Sequence, residues 1–281
     1  MRFSERQGLR SVRTVLQIDS MDDALRNRLW NLLDVLCWKS ISRDQYVSLN
    51  YYQDLTETAF VLWHDYFKEP TDTIPTSVGE MIAEVRERYF SYGWYEVYDL
   101  LEFAANYLPA ESVRARLIRS SNEVLEAELS AYRFIGGKLI RVTEKTEVDA
   151  IEKAIKETAS AFPGASHHLR TAIDLLARKP KSDHRNSIKE SISAVESLCV
   201  SITGDEKATL AKALKAIDPK AELHGALREA FSKLYGYTSD ADGIRHALLE
   251  EDHLEQEDAV FMLVACSAFI SYVIAKHARK R

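Results

Sequence analysis

Glycine and proline are scarce in this chain, ten and six among 281 residues. Punctuation that sparse excludes collagen-like and proline-rich disordered architectures and predicts helices joined by short turns. Cysteine is scarcer still. Cys37, Cys199 and Cys266 stand in apolar surroundings at no metal-ligand spacing, which excludes a disulfide framework and predicts buried thiols in a reducing compartment. Several chemical signatures are missing as well. There is no glycine-rich loop ending in Lys-Ser/Thr, no His-Glu-x-x-His and no Cys-x-x-Cys, so no phosphate-loop, zinc-protease or dithiol motif is present. No cofactor or metal is expected. Positive charge is not in excess either. The net charge is −6, which rules out a basic nucleic-acid glove and leaves RNA contact to local clusters such as Lys276, Arg279, Lys280 and Arg281.

The N-terminus carries no apolar signal region. Ala259–Ala275 is uncharged for 17 residues, the lower limit for a membrane span. Cys266, Ser267, Ser271 and Tyr272 interrupt it, and it reads as the central buried helix of a bundle. The expectation is a cytoplasmic protein with no membrane partner.

What the chain does contain is helical periodicity. Leu25, Leu29, Leu32, Leu33 and Leu36 recur at helical spacing over Met21–Trp38, with Ser20 or Asp22 as the cap. Further helices are predicted over 51–68, Ser77–Tyr92, Trp94–Leu108 and Glu111–Ala131, each closed by glycine or proline or by a change of pattern. The period changes at Tyr132–Thr143, which alternates around Gly136-Gly137, a two-residue β-hairpin signal. Helices resume over Glu147–Phe162, stopped by Pro163-Gly164, and over Ser166–Arg178, Asp183–Thr203, Glu206–Ile217 and Ala221–Tyr235. A turn at Gly236–Gly243, a short helix at Ile244–Glu251 and a last helix from about Glu257 to Ala278 follow. All four tryptophans precede the hairpin and seven of the eight histidines follow it. The expected fold is all-α: a helical bundle over 1–131, a β-hairpin connector over 132–145 and a second bundle over 146–281.

Chemistry concentrates late in the chain. Arg245 and His246 follow an Asp- and Gly-rich turn, and His253 stands seven residues after His246, on the same face of an unbroken helix. Histidine near neutrality is the usual general acid or base, and arginine stabilises charge building on phosphate oxygens. The alternative is that Arg245 pairs with Asp240, Asp242 or Glu250 and the histidines are solvated. A second place is Asp183-His-Arg-Asn186. There the plain reading is helix capping by Ser182 or Asp183. The functional one has Arg185 facing a site, with Ile192 and Glu196 within about 40° of it on the wheel. Glu196 either pairs with a basic group across the bundle or orients a catalytic arginine. His167-His168 is a doublet whose side chains point about 100° apart, so it is no chelating pair and reads as surface.

These residues resemble a known family. Arg185–Glu196, Gly204–Leu210, Leu234–Ala247 and Phe261–Ile270 resemble the C-terminal half of AbiJ-like abortive-infection proteins, a half similar to HEPN (higher eukaryotes and prokaryotes nucleotide-binding) domains. Phe3–Gly8, Leu25–Asn31 and Ala131–Phe134 resemble the N-terminal domain that accompanies it. The resemblance implies a bacterial antiphage role, with RNA as substrate, a homodimer formed through the HEPN-like domain and a phage or host protein as trigger. It implies a metal-independent endoribonuclease in which Arg245 and His246 act at the scissile phosphate, supported by His253, Arg185 and Glu196. The usual signature is Arg, a polar residue, three to five more residues, then His. Here His246 occupies the polar position, Glu250 the first position for the second histidine, and His253 lies beyond the usual limit. Three readings stay open: His246 acts, His253 reaches in, or the domain is a non-catalytic dimerisation and RNA- or nucleotide-binding module.

Overall fold

The computed structural model describes residues 3, 7, 9, 15–39, 46–108, 111–178, 182–205, 224–239 and 254–278, with backbone alone at 228 and 235–239. It is 75% helical, with one two-stranded hairpin among the described residues, the all-α class expected. The chain divides into two compact units, Met1–Thr143 and Glu144–Arg281.

The first unit opens with α1 (Asp23–Leu33), capped as expected by Asp22, whose carboxylate accepts from the Leu25 N–H at 2.9 Å. Leu25, Leu29, Leu33 and Leu36 are buried, each such burial contributing roughly 1.5–3 kcal/mol. The last turn, Asp34–Trp38, is π-helical. The same happens after α2 (Gln53–Val61), which continues as a π-helix over Leu62–Phe67 and ends on left-handed Lys68. Both wider turns carry a buried tryptophan, Trp38 and Trp63. Two capped helices follow, α3 (Val78–Ser91) and α4 (Trp94–Tyr107). The Ser77 hydroxyl accepts from the Glu80 N–H, and the Glu96 carboxylate accepts from the Gly93 N–H. α5 (Glu111–Ala127) precedes the hairpin.

The hairpin pairs β1 (Arg133–Ile135) with β2 (Lys138–Ile140) in the register Ile135↔Lys138. Gly136 and Gly137 have φ of 59° and 85°, the left-handed pair that a two-residue turn matching strand twist demands. The hairpin, read from the sequence as a connector over 132–145, lies within the first compact unit. Asn122 on α5 clamps β1 from both sides: its Oδ1 accepts from the Phe134 N–H at 2.7 Å and its Nδ2 donates to the Phe134 carbonyl at 3.0 Å. Glu102 on α4 holds β2 through the Leu139 N–H and the Lys138 ammonium. These polar ties, with Phe134 fully buried, are the packing that a lone hairpin needs.

The second unit contains α6 (Lys145–Thr158), α7 (Pro163–Ala177), α8 (His184–Thr203), α9 (Gly225–Ser239) and α10 (Gln256–Ala278). Pro163, expected to stop one helix, starts the next: its missing N–H and fixed φ suit the first helical position. The backbone of α9 runs on through Gly236 to Ser239, past the turn expected at 236. Helix 206–217 and helix 244–251 of the sequence reading lie outside the described residues. α7 and α8 are antiparallel. Three contacts set their register: Gly164 against Ser197, the Ser187 hydroxyl on the Ala172 carbonyl, and the Asp183 N–H on the Leu175 carbonyl. Small residues at Gly164, Ala165, Ala172, Ser187 and Ser191 let the two backbones approach closely. α10 packs against both α6 and α8. By length and composition it could cross a bilayer, and over half of its most apolar stretch is buried inside the unit, as a core helix requires.

Candidate functional site

Arg245, His246 and His253, the centre of the sequence reading, lie outside the described residues. The two supporting residues, Arg185 and Glu196, are both on α8, and the start of that helix can be built from the residues upward.

Asp183 caps α8. Its carboxylate accepts from the Asn186 N–H at 3.0 Å and from the Asn186 side-chain amide at 2.8 Å. Burial pushes this carboxyl up, but the two Asn186 bonds and the positive fields of Arg178 and His184 outweigh it and hold the group below its ordinary range. The capping expected of Ser182 or Asp183 is therefore performed by Asp183, while the Ser182 hydroxyl donates to the Leu176 carbonyl.

Directly after the cap, His184 donates from Nδ1 to the carbonyl of Leu254 at 3.0 Å. A carbonyl can only accept, so Nδ1 carries the proton and Nε2 is left as the second functional nitrogen. Leu254 is the residue that follows His253 in the chain. The hydrogen bond thus ties the first turn of α8 to the segment that leads into α10. Arg185, next to His184, is half-buried.

Along α8, Ile192 is buried while Arg185 and Glu196 are half-buried on its borders. Eleven residues of helix separate Arg185 from Glu196, about 16 Å along the axis, too far for Glu196 to orient Arg185 directly. Glu196 does act on Cys199, one turn on. Burial first, and the Glu196 charge second, push that thiol up to about 12.

Sequence reasoning also missed a polar contact between α7 and α8. His168 on α7 donates from Nδ1 to Glu190 Oε2 on α8 at 2.7 Å. Only His167 of the doublet is exposed. No local spacing links positions 168 and 190. The signal is the antiparallel register, because the pairs 164/197, 172/187 and 175/183 place 168 opposite 190.

Among the described residues no three His, Cys, Asp or Glu side chains stand together as a metal-binding group. In the first unit the strongest charge cluster is structural. Arg88 forms a two-point ion pair with Glu69 at 2.7 and 2.8 Å, reaches Glu84 at 2.6 Å and lies 4.4 Å above the Phe67 ring, pinning α3 to the turn after α2.

Residues 1–157 match the family model described as AbiJ N-terminal domain 4. No curated protein and no solved structure matches the chain.

Proposed function

Since the chain belongs to the AbiJ N-terminal domain 4 family of abortive-infection proteins, we propose that it is an antiphage effector whose C-terminal unit is HEPN-like and cuts RNA without a metal. The observation that carries the antiphage reading is the family match over residues 1–157; the site of the reaction is proposed on Arg245, His246 and His253 of the 245–253 stretch, together with Arg185.

In this reading His246 takes the proton of a ribose 2′-OH. The O2′–P bond forms as the P–O5′ bond breaks, and the leaving 5′ oxygen receives a proton from a second histidine or from water. Arg245 stabilises the charge on the non-bridging oxygens, and Arg185 holds a neighbouring phosphate. The products are a 2′,3′-cyclic phosphate and a 5′-hydroxyl. The protein works in the cytoplasm as a homodimer formed through the C-terminal unit and answers to a phage or host protein.

A second reading rests on one specific feature, Glu250 where the HEPN pattern expects a histidine. In it the C-terminal unit is a dimerisation and RNA- or nucleotide-binding module without catalysis. Phage challenge separates the two. Catalysis requires that Arg245→Ala and His246→Ala abolish protection while the protein accumulates normally. Protection retained by the double variant contradicts catalysis and favours the binding module.

A further inference from the structure

Two boundaries of this protein disagree. The family match runs to residue 157, one residue short of the end of α6, whereas the compact units divide between Thr143 and Glu144. By family α6 belongs to the N-terminal domain. By packing it belongs to the C-terminal unit, where Val148, Ile151, Ala154 and Ile155 are buried and α10 is its main neighbour.

Two further observations bear on this helix. Only residues 141–144 separate β2 from α6, and Val142 within them is buried with its N–H donated to the Ile140 carbonyl. So short a connection, Arg-Val-Thr-Glu without glycine or serine, is not a flexible linker. The other is a polar deficit. Of seven buried side-chain polar atoms without a hydrogen-bond partner among the described residues, four are carried by α6 and α10: Glu157 Oε2, Ser267 Oγ, Ser271 Oγ and His277 Nδ1. Well-packed native interiors leave few such groups, and each weakens the arrangement that holds it. α8, by contrast, satisfies its buried Ser187 and Ser191 hydroxyls through the carbonyls of Ala172 and Ser187.

We propose that α6 is a coupling helix: inherited with the N-terminal domain, docked in the C-terminal unit against α10, which itself carries unpaired buried polar atoms, and able to shift when the hairpin before it is disturbed. The N-terminal unit thereby controls the C-terminal one through α6, whichever chemistry the latter performs.

The test is hydrogen exchange measured segment by segment on the full chain, which does not depend on RNA cleavage. In the unmodified protein, amides of 145–158 exchange at least about tenfold faster than those of 187–202. Asn122→Ala, which opens the clamp on β1, speeds exchange in 145–158 further and leaves 187–202 unchanged. Glu102→Gln, which loosens β2, does the same in a second, milder way. Inserting Gly-Ser-Gly-Ser after Thr143 removes the effect of either variant. Ser267→Ala with Ser271→Ala slows exchange in 145–158. Equal protection of the two segments in the unmodified protein overturns the proposal. So does unchanged exchange of α6 in both hairpin variants.

Discussion

His168 and Glu190 close the α7–α8 hairpin, Nδ1 to Oε2 at 2.7 Å, with side chains 33% and 22% exposed. That partial burial screens the pair less than a surface contact, so its coupling falls at about 0.5–1.5 kcal/mol. A double-mutant cycle of His168→Ala and Glu190→Gln, read by urea unfolding, returns a coupling of that size. It shrinks in high salt if the pair is charged.

Gly137 is fixed by two independent constraints. Its φ is +85°, and a Cβ there would meet Asn106 Oδ1 at 2.6 Å, the side chain whose Nδ2 also donates to the Gly137 carbonyl. Gly137→Ala costs about 1–3 kcal/mol. The unfolding midpoint of the first unit falls accordingly, and Asn106→Ala in the same chain recovers only the steric part.

Asp183 makes the stability of α8 depend on acid. Its folded carboxyl lies below the usual value of about 3.9, because the Asn186 bonds and nearby positive charge outweigh burial. The stabilisation is complete above the unfolded value and is lost as pH falls through the folded one. Asp183→Asn keeps a capping oxygen and removes the titration. Between pH 5 and pH 2 its unfolding midpoint falls less steeply than that of the unmodified protein. Asp183→Ala loses about 1 kcal/mol at neutral pH.

Burial pushes the thiols of Cys37, Cys199 and Cys266 up to about 12, and the thiolate is the reactive form. The native protein therefore resists a chromogenic disulfide reagent at pH 8, and three thiols react at once in denaturant.

Periodicity and caps made most of the fold legible. Leucine spacing found α1, Asp22 its cap, and Gly136-Gly137 the hairpin turn, because each of these is set by residues close in sequence. The hairpin's role was not legible. Asn122 and Glu102, which bind it to the first unit, sit 12 and 37 residues from the atoms they hold, and no local pattern signals such contacts. The π-helical ends at Trp38 and Trp63 were hidden for a similar reason, since an apolar stripe fits either helix type over a single turn. At the candidate site, the Asp183 cap followed from its place before the helix, and the borderline positions of Arg185 and Glu196 from the helical wheel. The His184–Leu254 bond did not, because the chain between the two residues is 70 residues long. His168–Glu190 needed the register of two helices.

The most direct measurement incubates the purified full chain with total bacterial RNA in chelator and maps the cut ends. The account predicts cleavage leaving 2′,3′-cyclic phosphate and 5′-hydroxyl ends, reduced at least about a hundredfold by His246→Ala or Arg245→Ala without a change in unfolding midpoint. Cleavage that persists unchanged in both variants would contradict the site. Absence of cleavage by the unmodified protein, purified from phage-infected cells in which it protects, would contradict catalysis itself.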